Sequence, residues 1–248
     1  GLSAQTLGLG DISANLLVLL RGVCLAFSIG IVLLLLQSPF LDIALSIAGG
    51  SEKVQFYANQ YAQIRIWGIP AALANLVVLG WLIGNHQGKS VMWILIATNV
   101  INILLDLIFV YIFNWQVKGV ALASLFAEYS GMFLGITFIT HRYKSALVKL
   151  LNNFRQFMKA LFDKQVLLNY FQLNRDILIR TLCLQVCFLF ITFQGARLGD
   201  TVVAANAILM NFLLLISFSL DGIANAAEAM VGKAYGEKNT QQLKKTVN

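Results

Sequence analysis

Charged residues and proline are both scarce in this sequence. Only 12% of its 248 residues are Asp, Glu, Lys or Arg and only two are proline, whereas 58% are hydrophobic and the mean hydropathy is +0.76. A water-soluble domain carries about 25% charged residues. Half that fraction leaves too little polar surface to cover a soluble globule, but a surface that faces lipid needs none. The composition therefore excludes a soluble protein and predicts an integral membrane protein.

Cysteine and histidine are also rare, with three and two residues. Cys183 and Cys187 are spaced to share one helical face, but no histidine or carboxylate stands near them to complete a metal site. They and Cys24 lie inside apolar runs and are interpreted as small packing residues. The sequence therefore predicts no metal centre, no cofactor and no disulfide framework.

Six stretches are apolar and long enough to cross a bilayer, which takes roughly 20 residues of helix. They are residues 15–41, 66–84, 90–113, 119–140, 177–195 and 201–230. The second stretch follows an amphipathic segment, 52–65. Because a backbone in hydrocarbon must satisfy its own hydrogen bonds, we predict an all-α integral membrane protein with about six transmembrane helices.

The longest polar connection, residues 142–176, separates the fourth stretch from the fifth. It contains seven basic residues against Asp163 and Asp176, and its apolar residues recur at helical spacing. This pattern is typical of an amphipathic helix that lies on the cytoplasmic membrane surface. It divides the chain into segments 1–141, 142–176 and 177–248.

The positions of the basic residues predict the orientation. One set of loops holds Lys89, the 142–176 connection and the C-terminal segment from Lys233, whereas the other set holds only Lys53, Lys118 and Arg197. By the positive-inside rule the first set is cytoplasmic, so both ends face the cytoplasm. Since the charges sit in short stretches between apolar runs, the net charge of +7 does not indicate a nucleic-acid-binding surface. The expected partners are membrane lipid and a small-molecule substrate.

Both ends of the sequence are typical of positions inside a longer polypeptide. The chain begins GLSAQTLGLGD, without an initiator Met or a signal peptide, and ends in the polar stretch QQLKKTVN. Placing Gly236 over Gly8 aligns VGKAYGEKN with SAQTLGLGD, a weak match by itself. Read as an internal repeat, it implies that a helix pair resembling residues 177–230 precedes Gly1.

Polar residues inside the apolar stretches are the candidate functional groups. In the third stretch, Asn99, Asn102 and Asp106 recur at i, i+3 and i+7 on one helical face. A carboxylate in hydrocarbon costs about 2.5–3.5 kcal/mol, so it must face the bundle interior or water. Burial favours the neutral acid, and Asn102 lies one turn away to hydrogen-bond either form. Asp106 is therefore either a proton carrier or a structural acid that ties two helices together.

Two further stretches carry polar groups. In the fourth, Ser124 and Glu128 share a face, and Glu128 is either an ion relay or a partner of another helix, with Arg21 and Arg65 as candidates. In the sixth, a polar stripe lines either a cavity, where it contacts substrate, or the seam between helices. The stripe consists of Ser217, Asp221, Asn225 and Glu228.

Pro70 lies inside the second stretch, directly after Trp67, Gly68 and Ile69. Proline removes one backbone hydrogen bond and predicts a kink in the helix. A kinked transmembrane helix is either a bending point or a static feature, and we name Pro70 as the candidate hinge.

Three long segments resemble the multidrug and toxic compound extrusion (MATE) transporters, most closely their DinF (DNA-damage-inducible) branch. The segments are RIWGIPAALANLVVLGWLIGNHQ, NVINILLDLIFVYIFNWQVKGVALASLFAEYSG and LIRTLCLQVCFLFITFQGARLGDTVVAANAILMNFLLLISFSLDGIANAAEAMVGKAYG. The resemblance covers essentially the whole chain. It implies a place in a fold of twelve helices arranged in two six-helix lobes around a central cleft.

On that map the six stretches correspond to helices three to eight. Residues 1–141 become a partial N-lobe, 142–176 the inter-lobe linker and 177–248 the start of the C-lobe. The resemblance places Asn102 and Asp106 in the cation or proton site of the N-lobe, with Ser124 contributing a hydroxyl, and matches Asp221 to an LDG motif. An important acidic residue of the branch lies on the first helix, outside this sequence.

The resemblance implies a non-enzymatic antiporter that exports small amphipathic or cationic organic compounds by alternating access. The coupling ion is H⁺ or Na⁺, and we favour H⁺ because Asp106 lies among apolar neighbours. The candidate cavity residues are Asp221, Asn225 and Glu128. One alternative is a lipid-linked saccharide flippase of the same superfamily, which usually needs more basic residues in its cavity than this sequence offers. The other is a membrane scaffold that transports nothing.

Overall fold

The computed structural model describes residues 2–37, 52–152, 154–198 and 200–237, together with 39, 41 and 43. Its helices are α1 (Leu2–Gly8), α2 (Ile12–Leu35), α3 (Glu52–Arg65), α4 (Ile69–Gly84), α5 (Gly88–Asp106), α6 (Gln116–Arg142), α7 (Lys144–Asn152), α8 (Phe154–Leu161), α9 (Lys164–Leu198) and α10 (Asp200–Gly236). A 3₁₀ turn, Ile66–Gly68, joins α3 to α4, and a π-helical segment, Leu107–Ile112, continues α5. The described residues contain no strand, and the all-α prediction is confirmed.

Five helical segments in the described part of the chain are long and apolar enough to cross a membrane. They are Ile12–Leu35, Gln55–Gly84, Gly88–Ile112, Gln116–Arg142 and Ile208–Gly236. The remaining predicted stretch, 177–195, lies within α9, where a shorter apolar segment runs from Leu178 to Ile191.

The boundaries of two spans differ from the predicted ones. The first span begins at Ile12 because Asp11 caps the helix and accepts a hydrogen bond from the Ala14 N–H over 3.0 Å. The helix ends at Leu35, and of the predicted last residues, 38–41, only 39 and 41 are described. The second span begins near Gln55 because the amphipathic segment 52–65 has no helix breaker and runs directly into the 3₁₀ turn.

The chain divides into two compact units, residues 1–154 with 229–248, and residues 155–228. In the first unit, α4 packs between α2 and α6, and α5 packs against α6. Large apolar side chains from these helices pack together to form the core. They are Leu16, Leu19, Val78, Trp81, Leu82, Val91, Ile94 and Ile139. The core is dense where α2 meets α4, since a side chain at Gly30 would come within 2.8 Å of the Pro70 Cα.

Helix α7, in the predicted linker, also belongs to the first unit. It packs against α2 and α6, and Ala146, Leu147 and Leu150 rest on the apolar core. Val148 and Leu151 stay about half exposed, at 48% and 52%. One part of the apolar face of α7, which was predicted to lie on the membrane, therefore packs against the protein core, and the other part stays exposed.

The second unit holds α9 and most of α10. Large apolar side chains are exposed along both helices, among them Leu182, Phe190, Phe212 and Phe218. Such surfaces are stable in hydrocarbon and unstable in water, which agrees with the membrane class predicted from composition.

Candidate functional site

The candidate coupling residues lie where α5 meets α6. Asp106 is the last residue of α5, Asn102 stands one turn before it, and Ser124 faces them from α6. With its amide oriented to match donors with acceptors, Asn102 donates to Asp106 Oδ2 over 3.3 Å and accepts from Ser124 Oγ over 3.3 Å. The three residues named from sequence and resemblance therefore form one hydrogen-bonded group that joins two helices.

The second carboxylate oxygen of Asp106 has no such partner. Oδ1 is buried and, among the described residues, accepts no hydrogen bond. A buried carboxylate oxygen without a donor is costly unless it takes up a proton or approaches a cation. This arrangement is chemically suited to binding and releasing a positive charge.

A π-helical segment begins directly after Asp106. Over Leu107–Ile112 the helix widens, and the Phe113 N–H donates to the Ile108 oxygen five residues back, over 3.1 Å. π-Helical turns are rare in proteins, and those that occur often lie at functional sites. The amino-acid sequence does not reveal this segment, because a run of apolar residues looks the same whether its backbone bonding is α-helical or π-helical.

Four aromatic rings form a cluster next to the π-helical segment. Phe109 lies 5.2 Å from Trp115 and 6.2 Å from both Phe113 and Phe126, measured between ring centroids. Trp115 also stacks on Phe113 at 5.1 Å. The spacing of these aromatics in FVYIFNW is a signal that sequence reasoning left unused.

Glu128 forms an ion pair between α3 and α6. Its Oε1 lies 2.8 Å from Arg65 Nη2, and the two side chains are 21% and 30% exposed. Of the two arginines considered from sequence, Arg65 is the one that the structure places against Glu128. The pair joins two membrane-spanning segments, as the interhelical alternative predicted. Whether Glu128 also acts as an ion relay stays a prediction.

The surroundings of this pair are tightly packed. A side chain at Gly68 would overlap Glu128 Oε2, and Asn75 Nδ2 donates to the Glu128 backbone oxygen over 2.8 Å. Arg65 Nη1 and Glu128 Oε2 are buried without hydrogen-bond partners among the described residues. Close packing therefore holds the ion pair in place.

The polar stripe of the last predicted stretch lies on one continuous helix. Ser217, Asp221, Asn225 and Glu228 all belong to α10 and are exposed. Their spacing puts them on one face, as predicted. Asp221 and Asn225 belong to the second unit and Glu128 to the first, so their common role in a substrate cavity stays a prediction.

Pro70 lies at the start of α4, directly after the 3₁₀ turn Ile66–Gly68. Proline fits the first turn of a helix, where its missing N–H costs no hydrogen bond. The residue is buried against Gly30 of α2. A 3₁₀ turn thus precedes Pro70, and both the kink and the role of Pro70 as a hinge stay predictions.

Comparisons with known proteins extend over the whole chain. A family model described as MatE matches residues 1–108 and 177–248. DNA damage-inducible protein F of Escherichia coli is 38% identical over 243 residues, which are 98% of this chain and 52% of that protein. Protein DETOXIFICATION 43 of Arabidopsis thaliana is 29% identical over 225 residues, covering 88% of this chain and 40% of that protein. The chain thus spans about half the length of the curated relatives it matches.

Solved structures show the same fold. MATE in complex with MaD3S superposes with a TM-score of 0.77 at 22% identity, covering 98% of this chain and 54% of that one. A MOP superfamily transporter from Pyrococcus furiosus gives a TM-score of 0.71 at 22% identity, covering 98% and 53%. At 22% identity these matches show that the fold is the same, and nothing beyond the fold.

Proposed function

Because the chain belongs to the MatE family of membrane transporters, we propose that it acts as part of a cation-coupled antiporter that exports small amphipathic or cationic organic compounds by alternating access. Family members are transporters and not enzymes, so no catalytic residue is assigned. The observation that carries the proposal is the unpartnered, buried oxygen of Asp106 within the Asn102 and Ser124 hydrogen-bonded group.

We favour H⁺ over Na⁺ as the coupling ion because Asp106 Oδ1 is buried and, among the described residues, accepts no hydrogen bond. A proton on Oδ1 needs no further ligand, whereas a metal cation needs several oxygen ligands at once.

The Arg65–Glu128 pair supports an exporter over a saccharide flippase. A flippase cavity needs free cationic side chains to meet a pyrophosphate group. Arg65, one of three candidate arginines, is neutralised by a carboxylate at 2.8 Å. The proposed substrates are therefore cationic or neutral compounds, with Asp221 and Asn225 proposed as cavity residues.

Export can be tested in everted membrane vesicles that contain the full-length protein. We expect ethidium to accumulate inside when an inside-acidic pH gradient is imposed, and to stop accumulating when a protonophore removes that gradient. Vesicles without the protein provide the control. Accumulation that follows only a sodium gradient would reassign the ion, and no accumulation under either gradient would refute the export of organic cations.

The proposed location is a bacterial cytoplasmic membrane, with both ends of this sequence in the cytoplasm. Lys149 lies on α7 and Lys118 near the start of α6, at opposite ends of the α6 span. In a cysteine-free background, we expect cysteine at Lys149 to react with impermeant maleimide in everted vesicles only. Cysteine at Lys118 should react in intact cells only. Reaction of both residues from the same side would disprove the proposed topology.

A further inference from the structure

A cavity of about 230 Å³ lies within the first unit, where α1, the start of α2 and the ends of α4 and α6 meet. Its lining includes Thr6 of α1, Asn15 of α2, Trp81 of α4 and Tyr143, the residue that follows α6. Pockets that enclose a drug-sized ligand measure roughly 300–1,000 Å³. This cavity is therefore suited in size to one small chemical group, such as the headgroup of a lipid.

The cavity lies at one end of three membrane spans. Helices α2, α4 and α6 each belong to a segment long and apolar enough to cross the bilayer. Of the lining residues, Ile12 is the first residue of α2, Asn85 follows the last residue of α4, and Tyr143 follows the last residue of α6. A span ends where hydrocarbon meets the polar headgroups of lipids, and Trp and Tyr are enriched at that level. The cavity is therefore placed at the level of lipid headgroups.

The buried amides in the wall of the cavity are bonded within the protein. Asn15 and Asn85 are 3% and 6% exposed, and each donates to the side-chain oxygen of the other, over 3.0 and 3.2 Å. Their amide groups also donate to the Ser3 and Trp81 backbone oxygens, and Trp81 Nε1 donates to the Asn15 backbone oxygen. Because these N–H groups are already in use, they offer no binding site to an anion.

The cavity combines one carboxylate with two aromatic rings. Among the described residues that line it, Asp11 is the only charged one. Asp11 is exposed, and its Oδ1 accepts a hydrogen bond from the Ala14 N–H at the start of α2. The rings of Trp81 and Tyr143 pack edge to face, with their centroids 5.3 Å apart. A carboxylate attracts an ammonium group through its charge, and aromatic rings attract it through cation–π contacts. The cavity is thus chemically suited to an organic cation.

We propose that this cavity binds the ammonium headgroup of a zwitterionic phospholipid such as phosphatidylethanolamine. The ammonium group contacts Asp11 and the two rings. The phosphate of the same headgroup pairs with Arg142 or Lys144, which flank Tyr143 in the chain and are exposed. The cavity shares no residue with the Asp106 group, and the inference does not rest on the proposed export.

Native mass spectrometry of the full-length protein in non-ionic detergent measures how much lipid stays bound. Phosphatidylglycerol with the same acyl chains is the comparison lipid, because it keeps the phosphate and lacks the ammonium group. We expect Asp11→Asn to weaken the binding of phosphatidylethanolamine severalfold and to leave the binding of phosphatidylglycerol unchanged. Asparagine caps helices as well as aspartate does, so the variant loses the charge and keeps the start of α2. Equal losses for both lipids, or no loss for either, would overturn the proposal.

Asp163→Asn is the matched control for Asp11→Asn. Asp163 also accepts a hydrogen bond from a backbone N–H at the start of a helix, and it does not line the cavity. The binding of both lipids should therefore stay at the wild-type level. A loss of phosphatidylethanolamine binding as large as that of Asp11→Asn would show that the effect is not specific to the cavity.

Two variants of Tyr143 test the contribution of the rings. Tyr143→Phe keeps the aromatic ring, so phosphatidylethanolamine binding should stay close to wild type. Tyr143→Leu removes the ring, and binding should weaken severalfold because a cation–π contact is lost. Equal binding by the two variants would contradict the contact.

Tetramethylammonium chloride tests whether a free organic cation is the occupant instead of a lipid. It supplies the cation without phosphate or acyl chains, so we expect it to displace phosphatidylethanolamine only at a far higher concentration than that of the lipid. Displacement at an equal concentration would assign the cavity to free organic cations and overturn the lipid proposal.

Discussion

Asp106→Asn in the full-length protein is expected to reduce pH-gradient-driven efflux of ethidium to the background rate. The substitution keeps the size of the side chain and its hydrogen bond with Asn102, but it removes the exchangeable proton. Since Oδ1 of Asp106 is the buried oxygen without a partner among the described residues, an amide at this position can neither take up nor release a charge. Expression and thermal stability should stay close to wild type, because Asn resembles the neutral acid.

Asp163→Asn is the matched control for this experiment. It makes the same chemical change at an exposed carboxylate that caps the start of α9 through the Gln165 N–H, at 2.9 Å. Asparagine caps helices as well as aspartate does, so efflux should be preserved. Wild-type efflux in Asp106→Asn would end the proton-carrier proposal and leave Asp106 as a structural acid. Efflux lost in wild type only when sodium is withdrawn would make the group a sodium site.

Breaking the Arg65–Glu128 pair is expected to lower the free energy of unfolding more than any other single substitution named above. Glu128→Gln or Arg65→Met leaves one partly buried charge without its partner. The cost lies between the ~1 kcal/mol of an exposed pair and the ~3 kcal/mol of a fully buried one, since both side chains are less than one-third exposed. The measurement is the thermal unfolding midpoint of the detergent-solubilised full-length protein.

The double variant Arg65→Met with Glu128→Leu distinguishes an ion pair from two separate effects. Replacing both charges with apolar residues is often nearly neutral, so most of the lost stability should return. Lys233→Gln is the control, because Lys233 and Glu237 form a 3.7 Å pair one helical turn apart that is more exposed. It should cost less than about 0.5 kcal/mol. A double variant as unstable as the sum of the single variants would show that the pair contributes no coupling energy.

The spans and the grouping of their polar residues could be predicted from the sequence. Apolar runs fix the number and approximate position of the spans, because hydrocarbon leaves a helix as the only way for a single segment to satisfy its backbone. Helical periodicity then fixes which polar residues share a face, so Asn102 and Asp106 could be grouped from their spacing alone. The internal match between the segments around Gly8 and Gly236 was also visible in the amino-acid sequence.

The residues that contact one another across two helices could not be predicted from the sequence. Glu128 had two arginines as candidates, and the choice of Arg65 depends on which face of α6 packs against α3. The π-helical turn after Asp106 likewise depends on how α5 meets α6, because apolar residues such as Leu107 and Ile108 fit either helix type.

The sequence by itself determined the membrane class, the spans and the residues available for coupling, since these follow from composition and from the period of a single helix. The tertiary structure decided that Asn102 connects Asp106 to Ser124 and that Arg65 neutralises Glu128. Each of these contacts joins residues far apart in the chain. Their distances are set by the packing of whole helices against one another, a property that no local pattern of residues contains.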